Sequence, residues 1–345
     1  MDNLTAQIRR EAAALGFDAV GCAPVDQVPQ ERLREWLRRG YQGQMAYMER
    51  NTEKRLDPSL IVPGACSVLS LGLNYRHNYR LPYDQREKAA ISRYASGDDY
   101  HDVLWERLPR LLDAIQKLEP AARGRYYVDT GPVMDKHWAV QSGLGWLGKH
   151  TNVLSRQAGS WFFLGEIILN IELDYDQPVT DHCGSCRACL EACPTDAIVE
   201  EYLVDARLCI SYLTIELRED IPESLRPALG NLVFGCDICQ DVCPWNSKAP
   251  LSTVEAFAPR PENRAPDLKQ LSRLTPQDFS RRFRKSPVKR SKWRGFMRNV
   301  AVAMGNSGDP SMLPDLRRLA SCGDELVERH AKWAIRRIDS VPPDR

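Results

Sequence analysis

Apolar and polar positions along the first half of the chain follow two periods in alternation. Leu4 to Leu15 has the helical spacing, and Gly16 stands where a helix C-cap belongs. Asp18 to Cys22 reads as a short strand. Glu31 to Met48 reads as a helix broken at Gly40 and Gly43. Cys66 to Leu73 is largely apolar and follows Pro63-Gly64, which predicts a buried strand. His101 to Leu118 places Val103, Leu104, Leu108, Leu111, Leu112 and Ile115 on one side of a helix. Tyr126 to Asp129 and Trp161 to Leu169 predict two further strands. Helices alternating with strands predict a layered α/β sandwich over the first 175 or so residues. Asp205 to Arg218 is a further helix. Ala249 to Pro266, with four prolines, reads as a linker wrapped over the surface. Asn299 to Met304 and Ser311 to Leu319 form a helical pair. Glu325 to Ile338 adds another helix, the pattern of a short α-solenoid-like cap.

A length of 345 residues accommodates two or three domains and a sizeable core. The net charge of +1 makes no case for or against a nucleic-acid partner, so the placement of charge matters more than its sum. No run of eighteen apolar residues predicts a membrane span. The start, Met1 to Leu4, lacks the layout of a secretion signal, and Arg9-Arg10 runs into Glu11 rather than an export signal. Free thiolates without a signal point to a reduced cytoplasm.

The cysteines change the picture most. Cys183-x-x-Cys186-x-x-Cys189-x-x-x-Cys193-Pro194 has the bacterial ferredoxin spacing for a cubane iron–sulfur cluster, in which the fourth cysteine ligates the other cluster. Cys236-x-x-Cys239-x-x-x-Cys243-Pro244 repeats it without the leading cysteine, because Val233 occupies that place. Cys209 is the replacement. Crossing the runs predicts one set of Cys183, Cys186, Cys189 and Cys243, and a second of Cys193, Cys209, Cys236 and Cys239. Zinc sites favour paired Cys-x-x-Cys knuckles, and disulfides an oxidising compartment, so two [4Fe-4S] clusters fit best. Cys22 and Cys66 adjoin apolar strands as buried structural cysteines. Cys322, in a helix–helix turn, gives no signal.

Three other stretches carry candidate chemistry. Asp129 to His137 passes from a strand end through Gly131-Pro132 into a helix, and Asp135 there is either a proton-transferring carboxylate or a helix-start cap. Gly143 to His150 has Gly-x-Gly-x-x-Gly spacing but follows a helix, not a strand, so a dinucleotide fold is not supported. Its glycines serve either close approach to a bulky or anionic ligand or a tight connection. Arg281 to Arg298 contains nine Lys/Arg and no acidic residue, with Phe283, Trp293 and Phe296 interleaved. That run is either a footprint for a phosphate backbone or a solvated face whose aromatics belong to the core. Asp99-x-His101 and Asp135-x-His137 lack the glycine of a cobalt-ligating histidine motif, with Leu104 and Val140 in its place.

Taken together, the chain resembles the epoxyqueuosine reductases over nearly its whole length. The resemblance rests on Glu53-Lys54-Arg55, Asp98 to His101, Asp129 to Asp135, Gly143 to Lys149, Gly159 to Glu166 and both cysteine runs. It implies an α+β chain: a nitroreductase-like cobalamin-binding domain over 1–175, a ferredoxin-like two-cluster domain over 176–250, and a linker with a HEAT-like helical tRNA-binding part over 251–345. It implies reduction of epoxyqueuosine to queuosine at the tRNA wobble position, electrons from an external donor passing through two [4Fe-4S] clusters to base-off cobalamin. Asp135 is then the proton donor, with its pKa raised by burial, and Arg55, Gly159, Ser160 and Asn170 contact the corrin. A cytoplasmic monomer is expected. The rival readings are a corrinoid reductive dehalogenase, opposed by the missing export signal and the basic tail; a ferredoxin-type electron-transfer module, which would bind no corrinoid; and a tRNA-binding protein with structural clusters.

Overall fold

The computed structural model describes residues 3–26 and 28–340; Met1 and Asp2, part of the stretch read for an export signal, lie outside them. The first part is built on α1 (Leu4–Ala14), β1 (Ala19–Pro24), α2 (Gln30–Arg38), α3 (Thr52–Leu56) and β2 (Ser67–Asn74). They are followed by β3 (Ala90–Ile91), α4 (Tyr100–Leu118), β4 (Gly124–Tyr127), α5 (Asp135–Gln141), β5 (Trp146–Leu147), β6 (Val153–Leu154) and β7 (Phe162–Leu169). Its sheet is antiparallel in the order β1-β2-β7-β4. All eight residues of β2 are buried, as its largely apolar sequence requires of a central strand.

Alternation along β2 and β7 sorts side chains to two faces. Leu69, Leu71, Leu73, Phe163, Ile167 and Leu169 join one cluster with Ile8 and Ala12 of α1 and Leu104, Leu108, Leu111 and Ile115 of α4. On the opposite face Val68 and Ile168 pack with Trp138 of α5. Ser70 and Glu166, paired in register, also point that way. This sheet with helices on both faces is the layered architecture that the two periods predict. The expected helix over Glu31 to Met48 shortens to α2 and a separate 3-10 turn at Ala46–Met48, the two glycines between them both having positive φ.

The cysteine-bearing part holds α6 (Ala188–Glu191), the hairpin of β8 (Ile198–Glu200) and β9 (Leu203–Val204), α7 (Ile210–Ile215), β10 (Leu232–Phe234), α8 (Ile238–Asp241) and α9 (Pro244–Ser247). α6 packs against α8. β10 runs parallel to β3, tying this part to the first. α7 is shorter than the expected Asp205 to Arg218, and Cys209 stands at its N-cap.

The last part is helical: α10 (Leu268–Ser272), α11 (Pro276–Arg282), α12 (Lys292–Ser307), α13 (Leu313–Leu319) and α14 (Glu325–Asp339). Thr275 and Asp278 form a capping box at the start of α11. α12 is buried almost all round, which only a central helix tolerates. Its Phe296, Val300 and Met304 share one apolar cluster with Leu213 of α7 and Phe234 of β10, so the core runs on without a break from the cysteine-bearing part into the helical one. The proline-rich stretch wraps back over the first part, as the Ser252 amide donates to the Arg76 carbonyl at 2.6 Å and the Arg260 amide to the Ser96 carbonyl at 3.0 Å.

Candidate active site and cluster-binding cysteines

The eight cysteines fall into two spatial foursomes. Cys189 feels the charge of Cys243 and Cys183, and Cys243 that of Cys183 and Cys186. In the other group Cys239 feels Cys209 and Cys193, and Cys236 feels Cys239 and Cys209. Cys189 is also within reach of Cys239, so the groups adjoin. Among the described residues no trio of His, Cys, Asp or Glu is gathered tightly enough to hold a single ion. An iron–sulfur cube instead holds its thiolates around a cage wider than one ion's coordination sphere, and the all-thiolate sets suit it. Burial pushes the Cys189 thiol up to about 11 and those of Cys236, Cys239 and Cys209 upward too. The Ala197 amide donates to Cys193 Sγ at 3.3 Å. Cys186 is exposed, whereas Cys209, Cys236 and Cys239 lie deeper. Trp146, Leu154 and Trp245 form an apolar wall beside Cys183 and Cys243. Lys149 fastens the first run, its Nζ donating to the Gly184 carbonyl at 2.7 Å and pairing with Glu201 at 2.9 Å. The Gly143 to His150 stretch is thus the tight connection that carries this anchor.

Asp135 opens α5 without acting as its cap; Met134 holds that position. Burial pushes its carboxyl up, against the pull of Lys136 and Arg55, and Asp129 reinforces the rise. Arg55 is buried, donating to the Gly131 carbonyl at 3.3 Å and the Tyr47 carbonyl at 3.2 Å, while its Nε has no partner among the described residues. Lys136, next to Asp135, acts on Cys209. The second foursome therefore adjoins the start of α5.

The Asp129–Asp135 loop is held by α4. His101 bonds Asp99 through Nδ1 at 2.8 Å and Asp129 through Nε2 at 2.9 Å. Tyr100 donates to the same Asp129 carboxylate and stacks on Phe163 at 4.3 Å. Burial opposes charge on the imidazole, but the two carboxylates win and push it up to about 9. Asp129 takes a left-handed φ of 33°, a strained turn for a non-glycine residue. Both segments stand out in the sequence, but the latch between them does not, since Asp99-x-His101 signals nothing without the distant Asp129.

Gly159, Ser160 and Asn170 are not gathered around Asp135. Gly159 (φ 60°) lacks a Cβ where Asn246 Oδ1 presses in. The Ser160 amide donates to that oxygen at 2.6 Å, and its hydroxyl accepts from Gln240 at 2.9 Å. These bonds join the start of β7 to α8 and α9. Asn170 lies past the other end of β7, its side chain accepting from the Arg123 amide at 2.5 Å.

The basic run is split. Arg298, counted with the surface cations, is wholly buried and caps the Leu213, Leu217 and Glu219 carbonyls. Phe283 and Phe296 are core, and Trp293 donates to the Leu274 carbonyl, so the aromatics are packing rather than base platforms. Arg290 pairs with Glu216 at 2.9 Å, Arg294 with Asp324 at 3.3 Å, and Arg281 with Asp278. Arg284, Lys285, Lys289 and Lys292 are exposed, with no acidic partner among the described residues. They border the site: the Lys285 carbonyl accepts from the Asp99 amide at 2.9 Å, and Arg290 lies over the Tyr47 ring at 5.7 Å.

Residues 182–246 match the family model described as "4Fe-4S double cluster binding domain", and residues 55–130 the one described as "Epoxyqueuosine reductase QueG, DUF1730". The chain is 44% identical to the epoxyqueuosine reductase of Cellulophaga algicola over 85% of its length and 95% of that protein's. The chain belongs to the epoxyqueuosine reductase family. The Escherichia coli epoxyqueuosine reductase is 41% identical, with 97% of this chain and 89% of that protein covered. A solved epoxyqueuosine reductase with a tRNA-Tyr epoxyqueuosine-modified stem loop superimposes with a TM-score of 0.91 at 32% identity, over 97% of this chain and 90% of that one. Another, from Bacillus subtilis, has its catalytic aspartate loop swung out of the active site, with a TM-score of 0.91 and 31% identity. As an epoxyqueuosine reductase the chain is an oxidoreductase with a double [4Fe-4S] domain, and no described helix is long and apolar enough to cross a membrane.

Proposed function

We propose that this chain reduces the epoxide of epoxyqueuosine at the tRNA wobble position to the alkene of queuosine, taking two electrons and two protons and releasing water. The observation that carries this reading is that the second cysteine foursome feels the charge of Lys136 at the start of α5, next to the buried Asp135 carboxyl whose pKa is raised. Cys183, Cys186, Cys189 and Cys243 form the outer cluster site, where exposed Cys186 is open to an external donor. Cys193, Cys209, Cys236 and Cys239 form the inner one. Membership of the family favours this reading over a reductive dehalogenase or a bare electron-transfer module.

Cobalamin, when bound, supplies the low-valent metal chemistry that no side chain performs. The residues fit such a group. Arg55 presents an unpartnered Nε beside Asp135, and a corrin's amide oxygens would satisfy it. Ser160 before β7 and Asn170 after it are separated by ~33 Å at about 3.3 Å per residue, and Gly159 and Ser160 meet Asn246 and Gln240. The family resemblance implies that a corrinoid with its base detached would be held with Gly159, Ser160 and Asn170 as further contacts. Asp135 then gives a proton to the oxygen leaving the ring, a role that the upward shift of its pKa by burial favours. The free cations Arg284, Lys285, Lys289 and Lys292 hold the tRNA backbone at the rim while the wobble base enters. We keep the division near residues 175 and 250 into cobalamin, two-cluster and helical tRNA-binding parts, with the last two sharing one core. The nitroreductase-like and HEAT-like descriptions, a cytoplasmic location and a monomeric state complete the proposal.

Anaerobically purified protein, reconstituted with iron and sulfide and incubated with cobalamin and epoxyqueuosine-containing tRNA, tests the reading. Two clusters, corrinoid binding and queuosine formation are expected. Clusters without corrinoid affinity would reduce the protein to an electron carrier.

A further inference from the structure

The proline-rich stretch 249–266 is fastened to the first part of the chain largely by backbone contacts. The Arg260 amide donates to the Ser96 carbonyl at 3.0 Å and the Asp98 amide to the Ala256 carbonyl at 2.7 Å. Asn263 Nδ2 adds a bond to the Ser96 carbonyl at 3.1 Å. Gly97 leaves no room for a side chain, because a Cβ there would meet the Ala256 carbonyl oxygen at 2.7 Å. These contacts hold the stretch in place without the Arg260 side chain, so its guanidinium calls for another reason.

That guanidinium joins two segments of the functional site. Its Nε and Nη2 donate to Asp98 Oδ1 at 3.0 and 2.6 Å, next to the latch residues Asp99 and His101. Nη2 also reaches the Arg284 and Lys285 carbonyls at 3.0 and 2.7 Å. Arg284 and Lys285 belong to the exposed cations that have no acidic partner among the described residues. Lys285 holds a left-handed φ of 52°, which a non-glycine residue keeps only where its surroundings fix it. The planar fork of an arginine serves a carboxylate and neighbouring carbonyls together, a geometry that a lysine's point charge does not reproduce. The side chain is 19% exposed and occupied by these acceptors, so it is not itself a free cation for a phosphate.

Hydrogen bonds continue from there to the catalytic loop. The Lys285 carbonyl that Arg260 engages also accepts the Asp99 amide at 2.9 Å. The Asp99 carboxylate bonds His101 Nδ1 at 2.8 Å, and His101 Nε2 bonds Asp129 at 2.9 Å. Asp129 begins the loop that ends at Asp135, the first residue of α5. Direct contacts thus run without a gap from the backbone of the exposed cations to the loop.

We propose that Arg260 is a positioning residue that makes the cationic rim and the 129–135 loop one unit. The proposal rests on the reading above that this rim holds tRNA. A phosphate backbone seated on Arg284 and Lys285 fixes the Lys285 carbonyl, and with it the Asp99 amide. Through His101 the Asp129 carboxylate is fixed in turn, so the wobble nucleotide meets Asp135 with its loop already in place. Arg260 acts through Lys285 and Asp99 and touches no substrate.

Amide exchange on the full chain, with and without an anticodon stem-loop RNA carrying epoxyqueuosine, reads this coupling without turnover. In the wild-type protein the RNA should slow exchange both at 284–292 and at 129–135. In Arg260→Gln it should still slow exchange at 284–292 and leave 129–135 unchanged. In the reconstituted holoenzyme the same variant should lose kcat by about 10-fold to 10²-fold, the scale of a small misplacement of reacting groups. The KM for tRNA and its salt dependence should stay close to wild type, because no phosphate contact is removed. Arg260→Lys keeps the charge without the fork and should behave like Arg260→Gln; full rescue by lysine would make the residue a phosphate contact and overturn the proposal. Wild-type protection of 129–135 or wild-type kcat in Arg260→Gln overturns it as well. Should Arg260→Gln fail to fold, Asp98→Asn, which removes the charged partner of the guanidinium, decides the matter on the same readouts. RNA that binds the wild-type protein without slowing exchange at 284–292 would refute the rim reading and the proposal with it, whereas failure in the variants alone leaves the rim reading standing.

Discussion

At Asp135 the deciding quantity is the balance between burial and nearby charge. Burial and Asp129 raise its pKa and outweigh Lys136 and Arg55, so the acid form persists to higher pH than in an ordinary aspartate. Activity should then be present at low pH and lost as pH rises through that raised value. Asp135→Asn should keep both clusters and corrinoid binding while lowering turnover by about 10²-fold or more, the usual loss for a general acid; wild-type turnover would remove Asp135 from the role. His101 titrates in the same direction. Its pKa is raised to about 9 from 6.5, so the latch on Asp129 is complete below about 6.5 and is lost as pH climbs through 9. His101→Gln should loosen residues 129–135, seen as faster amide exchange there, and abolish the change in exchange between these pH values. Segments read singly in the sequence meet here, yet no local pattern in Asp99-x-His101 announces a partner 28 residues away.

Elements explain why a charge run is a poor guide to a surface. α12 is amphipathic in neither direction because it fills the centre of the helical part, and Arg298 rides inside with it. Its guanidinium satisfies carbonyls at the end of α7, so Arg298→Ala should destabilise the protein by ~3 kcal/mol, since removing one partner leaves buried acceptors unpaired. The salt dependence of tRNA binding should not change. Thermal melts and binding titrations separate the two effects; a loss of tRNA affinity at unchanged stability would return Arg298 to the interface. The strands of the first part were legible because β2 and β7 are largely apolar. α7 was not, since Asp205 to Cys209 turns to bring a cysteine to the second foursome.

Over the whole molecule, the proposed cluster sites and the proposed tRNA-binding rim can be tested separately. Cys186→Ser should impair the outer cluster while the inner one remains visible by electron paramagnetic resonance, with slow turnover from external donors; Cys209→Ser should remove the inner signal. Equal loss of both signals would contradict the assignment of Cys186 to a separate outer set. At the rim, neutralising Lys285, Lys289 and Lys292 should weaken tRNA binding and flatten its salt dependence, by about 0.7 to 0.9 in log–log slope for each phosphate no longer neutralised. Unchanged slopes would make that rim a solvated surface. No sum of charge points to this rim, because acidic partners cancel Arg281, Arg290 and Arg294 and leave a smaller free set.

The order of residues was enough to propose the cysteine sets and to show the alternation of strand and helix and the resemblance carried by short segments. Spacing along a chain suffices where ligands, strands and helices repeat at short range. Which cations are free, that His101 latches Asp129, and that Glu166 is buried without a hydrogen-bond partner among the described residues were settled by the folded arrangement alone. Those outcomes depend on desolvation and on partners distant in sequence, and burial changes what a charged residue can do without changing its letter.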